Sequence, residues 1–144
     1  MKFTLIIDKD SEEELILRIR EKREIADKIE SLVKDEPTVF FGYDGADTVP
    51  LSEGEIYVFF LEDSKLYAVT EDKKYRLKMR LYEVEGIIGE GFVKINQSCI
   101  VRIDKIKKFE AAFSGALSVI LKNGYRDYIS RRQVSAVKRA VGIK

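Results

Sequence analysis

The sequence predicts a mostly β fold, a β-rich α+β arrangement: a compact multi-strand domain over residues 46–144 with short helices and a C-terminal helix, preceded by a short ββα-like extension over residues 1–45. Three observations carry this. From Thr38 onward, short apolar runs rich in β-branched and aromatic residues alternate with turn signals such as Asp44-Gly45 and Lys122-Asn123-Gly124. Helical spacing is confined to a few short stretches, the clearest holding Val134, Val137, Ala140 and Val141. A hydrophobic fraction of 45% over 144 residues suffices for one continuous core.

Residues 3–8 and 15–20 carry apolar runs of strand-forming residues, which predict two strands pairing across residues 8–14. An alternative is one long helix capped at Ser11, because Ser-Glu-Glu-Glu matches a capping box. Ile25, Ile29, Leu32 and Val33 then follow helical spacing and predict a helix over 24–33, ended at Asp35-Glu36-Pro37. Strands follow over 39–43 and, after a turn over 50–55, over 56–61 and 66–70, with the polar loop 62–65 between the last two. A further strand is predicted over 75–78, a short helix over 79–88 and a strand over 92–95. Residues 100–113, 117–121 and 126–129 complete the strands, and residues 130–141 form a helix with Ser130 at its N-cap.

Net charge is only +1, but it is unevenly distributed. Residues 1–36 hold 8 Lys/Arg against 11 Asp/Glu, residues 37–93 hold 6 against 11, and residues 94–144 hold 12 against 3. Such an asymmetry points to a polyanionic partner for the basic end. The single cysteine, Cys99, allows no intrachain disulfide and suits a reducing, cytoplasmic compartment. No apolar run approaches the roughly 18 residues of a membrane span, and the apolar stretch 3–7 stops at Asp8 without a small-residue cleavage site, so neither membrane insertion nor a signal peptide is expected. With no histidine and one cysteine, no metal, cofactor or nucleophile–base pair is expected, and an enzyme is not the reading. Cys99 reads as a buried, inert thiol.

Two segments carry chemistry. Asn96, Gln97 and Ser98 sit together between apolar strand halves and beside Lys94 and Arg102. Asn and Gln amides can pair with adenine edges, and Ser suits phosphates. A polar turn flanked by solvated lysines fits the same residues, and composition does not separate the two. In the second segment Arg131, Arg132 and Gln133 occupy the first turn of the predicted last helix, where positive charge opposes the helix dipole. A DNA contact explains that conflict; a solvated face does not.

The ordered set Phe92, Ile95, Ser98, Ile100, Val101, Asn123, Gly124, Ile129, Ser130, Arg131 and Arg132, with the upstream run Gly54-Glu55-Ile56-Tyr57-Val58-Phe59-Phe60-Leu61-Glu62, resembles the LytTR DNA-binding domain over roughly residues 48–144. The resemblance implies a bacterial, response-regulator-like transcription regulator that inserts loops into successive major grooves of double-stranded DNA. Carried over by position, the contact loops are 62–65, 96–98 and the start of the last helix. Gln97 and Arg132 are then the base readers, with Lys65 a candidate beside them. Lys94, Ser98, Arg131 and Lys138 are phosphate contacts, and Asn96 belongs to the same set. The chain departs from the family at Arg102, often Asn, and at Asn96-Gln97, often His-Arg or His-Asn; its first loop is acidic at Glu62 and Asp63.

The first 45 residues leave no room for a receiver domain, and Asp8 and Asp10 read as solvated turn carboxylates. The architecture resembles short LytTR regulators whose genes often lie beside one for a small membrane protein. That implies control by a protein partner or by self-association, and the extension is read as a homodimer element through Ile25, Ile29 and Leu32. The competing function is an RNA-binding or protein-interaction β module, with Phe92, Phe109, Phe113, Tyr125 and Tyr128 as stacking surfaces.

Overall fold

Ten strands and three α-helices follow one another among the residues that the computed structural model describes, 2–34 and 38–142. The chain divides into two units, Met1–Glu36 and Pro37–Lys144. The first holds one regular element, helix α1 (Glu24–Lys34), with Glu24 and Asp27 in its first turn where they suit the dipole. The strands expected over 3–8 and 15–20 do not form, and no helix starts at Ser11. An isolated two-stranded hairpin is marginal in water, and Phe3 and Ile7 are both more than 80% exposed. Asp8 instead forms a turn, its carboxylate accepting from the Asp10 N–H at 3.1 Å. The expected helix stop at Asp35-Glu36-Pro37 lies outside the described residues.

The second unit takes in residues 39–44, which the boundary expected at 45/46 leaves with the extension. They form β1 (Val39–Asp44), which pairs along its whole length with β2 (Asp47–Ser52). Gly45, at φ +61°, takes the first place of the two-residue turn. Residues 50–52 are thus strand, where a turn is expected from Pro50. Proline lacks an N–H, and β2 lies at the edge of its sheet, where none is required on the outer side. A short 3-10 turn, Glu53–Glu55, leads into β3 (Val58–Glu62), β4 (Lys65–Val69) and β5 (Lys74–Leu77). Helix α2 (Leu81–Ile87) follows, then β6 (Phe92–Asn96) and β7 (Cys99–Arg102). The run 100–113 is not one strand: a 3-10 turn at Ile103–Lys105 separates β7 from β8 (Ile106–Ala111). That break lets the chain leave one sheet and start another with β9 (Leu117–Leu121) and β10 (Arg126–Ile129), before helix α3 (Val134–Ala140).

The seven-stranded sheet runs β2-β1-β5-β4-β3-β7-β6 and the three-stranded sheet β10-β9-β8, with antiparallel neighbours throughout. Val58, Phe59 and Phe60 of the inner strand β3 are all buried because both faces of the large sheet are covered there. With side chains alternating, Phe59 joins a core with Phe40, Leu66, Leu77 and Val84, while Val58 and Phe60 join one with Val101, Leu121, Ile129 and Val137. The small sheet and α3 therefore close over one face of the large sheet. Asn123 fastens this arrangement at one end, donating to Thr70 O at 3.0 Å and accepting from the Tyr125 N–H at 3.0 Å. Gly124 beside it has φ +89°.

Candidate nucleic-acid interface

Antiparallel pairing brings several connections to one end of the large sheet. The Asp63-Ser64 turn closes β3 onto β4 with Glu62 opposite Lys65. Both turn residues are left-handed, at φ 52° and 64°, as a two-residue turn matched to strand twist requires. β5 runs back beside β4 with Leu77 opposite Leu66, so the segment entering α2 leaves the sheet at this same end. The Gln97-Ser98 turn between β6 and β7 also lies here, because Ser98 O accepts from the Leu61 N–H at 2.8 Å. From the small sheet, the Ser130 N–H donates to Ile95 O at 2.9 Å and delivers residues 130–133 beside the end of β6.

The Gln97-Ser98 turn is braced from within. The β6–β7 pairing shifts register between Lys94 and Asn96, a bulge that turns consecutive residues Ile95 and Asn96 both inward. Asn96 is only 1% exposed. Its amide donates to Tyr128 O at 2.9 Å and to Asp127 Oδ1 at 3.3 Å, and its Oδ1 accepts from the Ser98 N–H at 2.8 Å. The other Asp127 oxygen accepts from the Tyr125 hydroxyl at 3.0 Å, and that hydroxyl lies 4.0 Å from Cys99 Sγ. Burial pushes both the Cys99 thiol and the Tyr125 phenol well above their ordinary values, and the Asp127 carboxylate adds to the effect on each. Both groups stay neutral and protonated, and Cys99 is a buried free thiol.

Sequence reasoning groups Asn96, Gln97 and Ser98 as one exposed set; the structure separates them. Gln97 and Ser98 face solvent, while Asn96 holds the turn that presents them. Lys65 is exposed beside the Asp63-Ser64 turn. The acidity of that turn is partly offset, since Glu62 lies 3.9 Å from Lys74. Lys94 is half-buried, with its ammonium 2.7 Å from Glu85 on α2. Arg131 and Arg132 are exposed but stand outside the last helix, which begins at Val134 with Gln133, not Ser130, as its N-cap. The Ser130 carbonyl accepts from the Gln133 N–H at 2.9 Å and closes a separate turn. These arginines therefore lie just ahead of the N-cap rather than in the first turn of the helix. Lys138 is exposed in the last turn of α3, where a cation also suits the dipole.

The basic excess of residues 94–144 is not gathered at this end. Lys122 N–H bonds Lys105 O beside the Asn123–Thr70 link, at the opposite end of β4. Lys108 and, secondarily, Arg126 engage Glu110 and hold its carboxyl below the usual range. Arg102, where the resemblance leads one to look for Asn, is a structural residue: it donates to Glu53 O at 2.8 Å and pairs with Asp104. An open groove of about 670 Å³ does gather charge at the loop end, lined in part by Lys65, Arg76, Lys78, Arg80, Lys94 and Gln97. Arg76, Lys78 and Arg80 escape sequence reasoning because they belong to a stretch whose summed charge is negative. Of the aromatic residues considered for stacking, Phe92, Phe109 and Tyr125 pack into the cores, and Phe113 and Tyr128 are exposed.

Comparison with known proteins fits this geometry. The family model for the LytTr DNA-binding domain matches residues 46–142. Uncharacterised HTH-type transcriptional regulators of Staphylococcus aureus, from strains NCTC 8325 and COL, are each 26% identical over 122 residues, covering 81% of this chain and 83% of theirs. Among solved structures, the LytTr DNA-binding domain of a methyl-accepting/DNA response regulator from Bacillus cereus superposes with a TM-score of 0.69 at 20% identity, over 75% of this chain and all of that one.

Proposed function

The chain belongs to the LytTr DNA-binding domain family, a family of DNA-binding regulators and not of enzymes, and we propose that it binds double-stranded DNA sequence-specifically by setting loops into the major groove. The observation that supports this most is the convergence of the Asp63-Ser64 turn, the Gln97-Ser98 turn and residues 130–133 at one end of the β unit. Among the described residues no two α-helices are consecutive, so a helix-turn-helix pair is not the reading element.

Gln97 and Arg132 read base edges, the first as a bidentate amide and the second as a guanidinium. Lys65 reaches the same duplex from the first turn. Ser98, Arg131 and Lys138 hold phosphates, and Lys94 joins them by exchanging Glu85 for a phosphate oxygen. Asn96 acts through the turn it braces rather than by touching DNA. The regulator works in the cytoplasm as a homodimer joined through α1, with Ile25 and Ile29 at the contact, and answers to a protein partner, a small membrane protein being the candidate. Selection of duplexes from a random-sequence pool by the full chain tests the central reading: a recovered consensus supports it, and retention of single-stranded RNA in preference to any duplex overturns it.

A further inference from the structure

The groove at the loop end contains five cations, and its acidic lining residue, Glu85, is already paired with Lys94. Arg76 lies near the end of β5, Lys78 directly follows the strand and Arg80 lies in the connection to α2, and all three line the one groove. All three are exposed. Among the described residues neither Arg76 nor Arg80 has a carboxylate within ion-pairing distance, while the Lys78 ammonium lies 4.3 Å over the Tyr43 ring. Gathering like charges without counter-charges costs stability, and a polyanion seated in the groove reverses the sign of that cost. The groove also shares Ser64, Lys65 and Gln97 with the turns already described, so a duplex docked on those turns runs directly past it.

We propose that Arg76 and Arg80, backed by Lys78, form a fourth DNA contact: a sequence-independent phosphate clamp on the duplex beside the stretch that the loops read. The inference rests on the DNA-binding reading. The β5–α2 connection is well suited to the task, because pairing with β4 and the Arg80 N–H bond to Glu83 at 3.2 Å fix its backbone. The clamp adds affinity and footprint without adding specificity.

The test uses the full chain and a duplex of about 40 base pairs that the wild type selects from a random pool. Each phosphate neutralised contributes about 0.9 to the slope of log affinity against log salt. Arg76→Gln with Arg80→Gln is therefore expected to flatten that slope by about 1.8 while leaving the selected sequence unchanged. The charge-matched control, Lys107→Gln with Lys122→Gln, removes two cations distant from the groove and should keep the wild-type slope. Arg76→Lys with Arg80→Lys should keep most of it too. A slope for the Arg→Gln pair equal to the control's, or an equal loss in the Arg→Lys pair, overturns the clamp. If the wild type selects no duplex, the DNA-binding reading fails and takes the clamp with it; if it selects one and the clamp variants behave as controls, only the clamp fails.

Discussion

At the β6–β7 turn the Asn96 amide makes three hydrogen bonds inside the domain, while the amide of the next residue faces solvent. The two positions should respond oppositely to truncation. Asn96→Ala leaves the Ser98 N–H and the Tyr128 carbonyl without their partner and should cost about 2–3 kcal/mol of stability, measured by urea unfolding. Gln97→Ala should leave stability within about 0.5 kcal/mol of wild type and weaken binding to a selected duplex by about 1–3 kcal/mol. The buried thiol gives a pH test. Folding holds Cys99 neutral above its ordinary value of 9.0, so its contribution is intact below that pH and is lost as pH rises beyond it. The stability of wild type relative to Cys99→Ala should therefore shrink above about pH 9. That Asn96 is buried could not be read from the chain, because polar composition is the same on either side of a bulge; the exposure of Gln97 and Ser98 could.

The strands that pair in succession were legible because each carries its own period-two pattern and turn. The elements that differ from expectation depend on partners the sequence does not name. Residues 3–8 and 15–20 have strand composition and no strand to join. Pro50 sits in a strand because that strand is at an edge. Residues 130–133 form a turn because Ser130 is tied to Ile95 across the two sheets. Gly42 shows how tightly β1 joins the unit: a Cβ there would lie 2.7 Å from Tyr75 Cβ on β5. Gly42→Ala should destabilise by about 1–3 kcal/mol, lowering the thermal midpoint, since the nearest obstructing atom, Tyr75 Cβ, is held by its own backbone and cannot swing away.

Across the whole molecule, charge by sequence and charge by position diverge. The basic C-terminal third pointed to the right partner for an incomplete reason: several of its cations are paired or lie at the far end, and the loop-end groove draws Arg76, Lys78 and Arg80 from an acidic stretch. The dimer role assigned to α1 predicts that Ile25→Glu with Ile29→Glu in the full chain halves the sedimenting mass at micromolar concentration; a wild type that already sediments as a monomer contradicts it. Sequence-specific reading through Arg132 is tested most directly by equilibrium binding of the full chain to a duplex it has selected, at fixed salt, with Arg132→Ala alongside. Wild type is expected to prefer that duplex to a scrambled one, and Arg132→Ala to lose most of this preference while keeping its fold and its non-specific binding. Equal affinity for selected and scrambled duplexes, or an unchanged preference in Arg132→Ala, would contradict it.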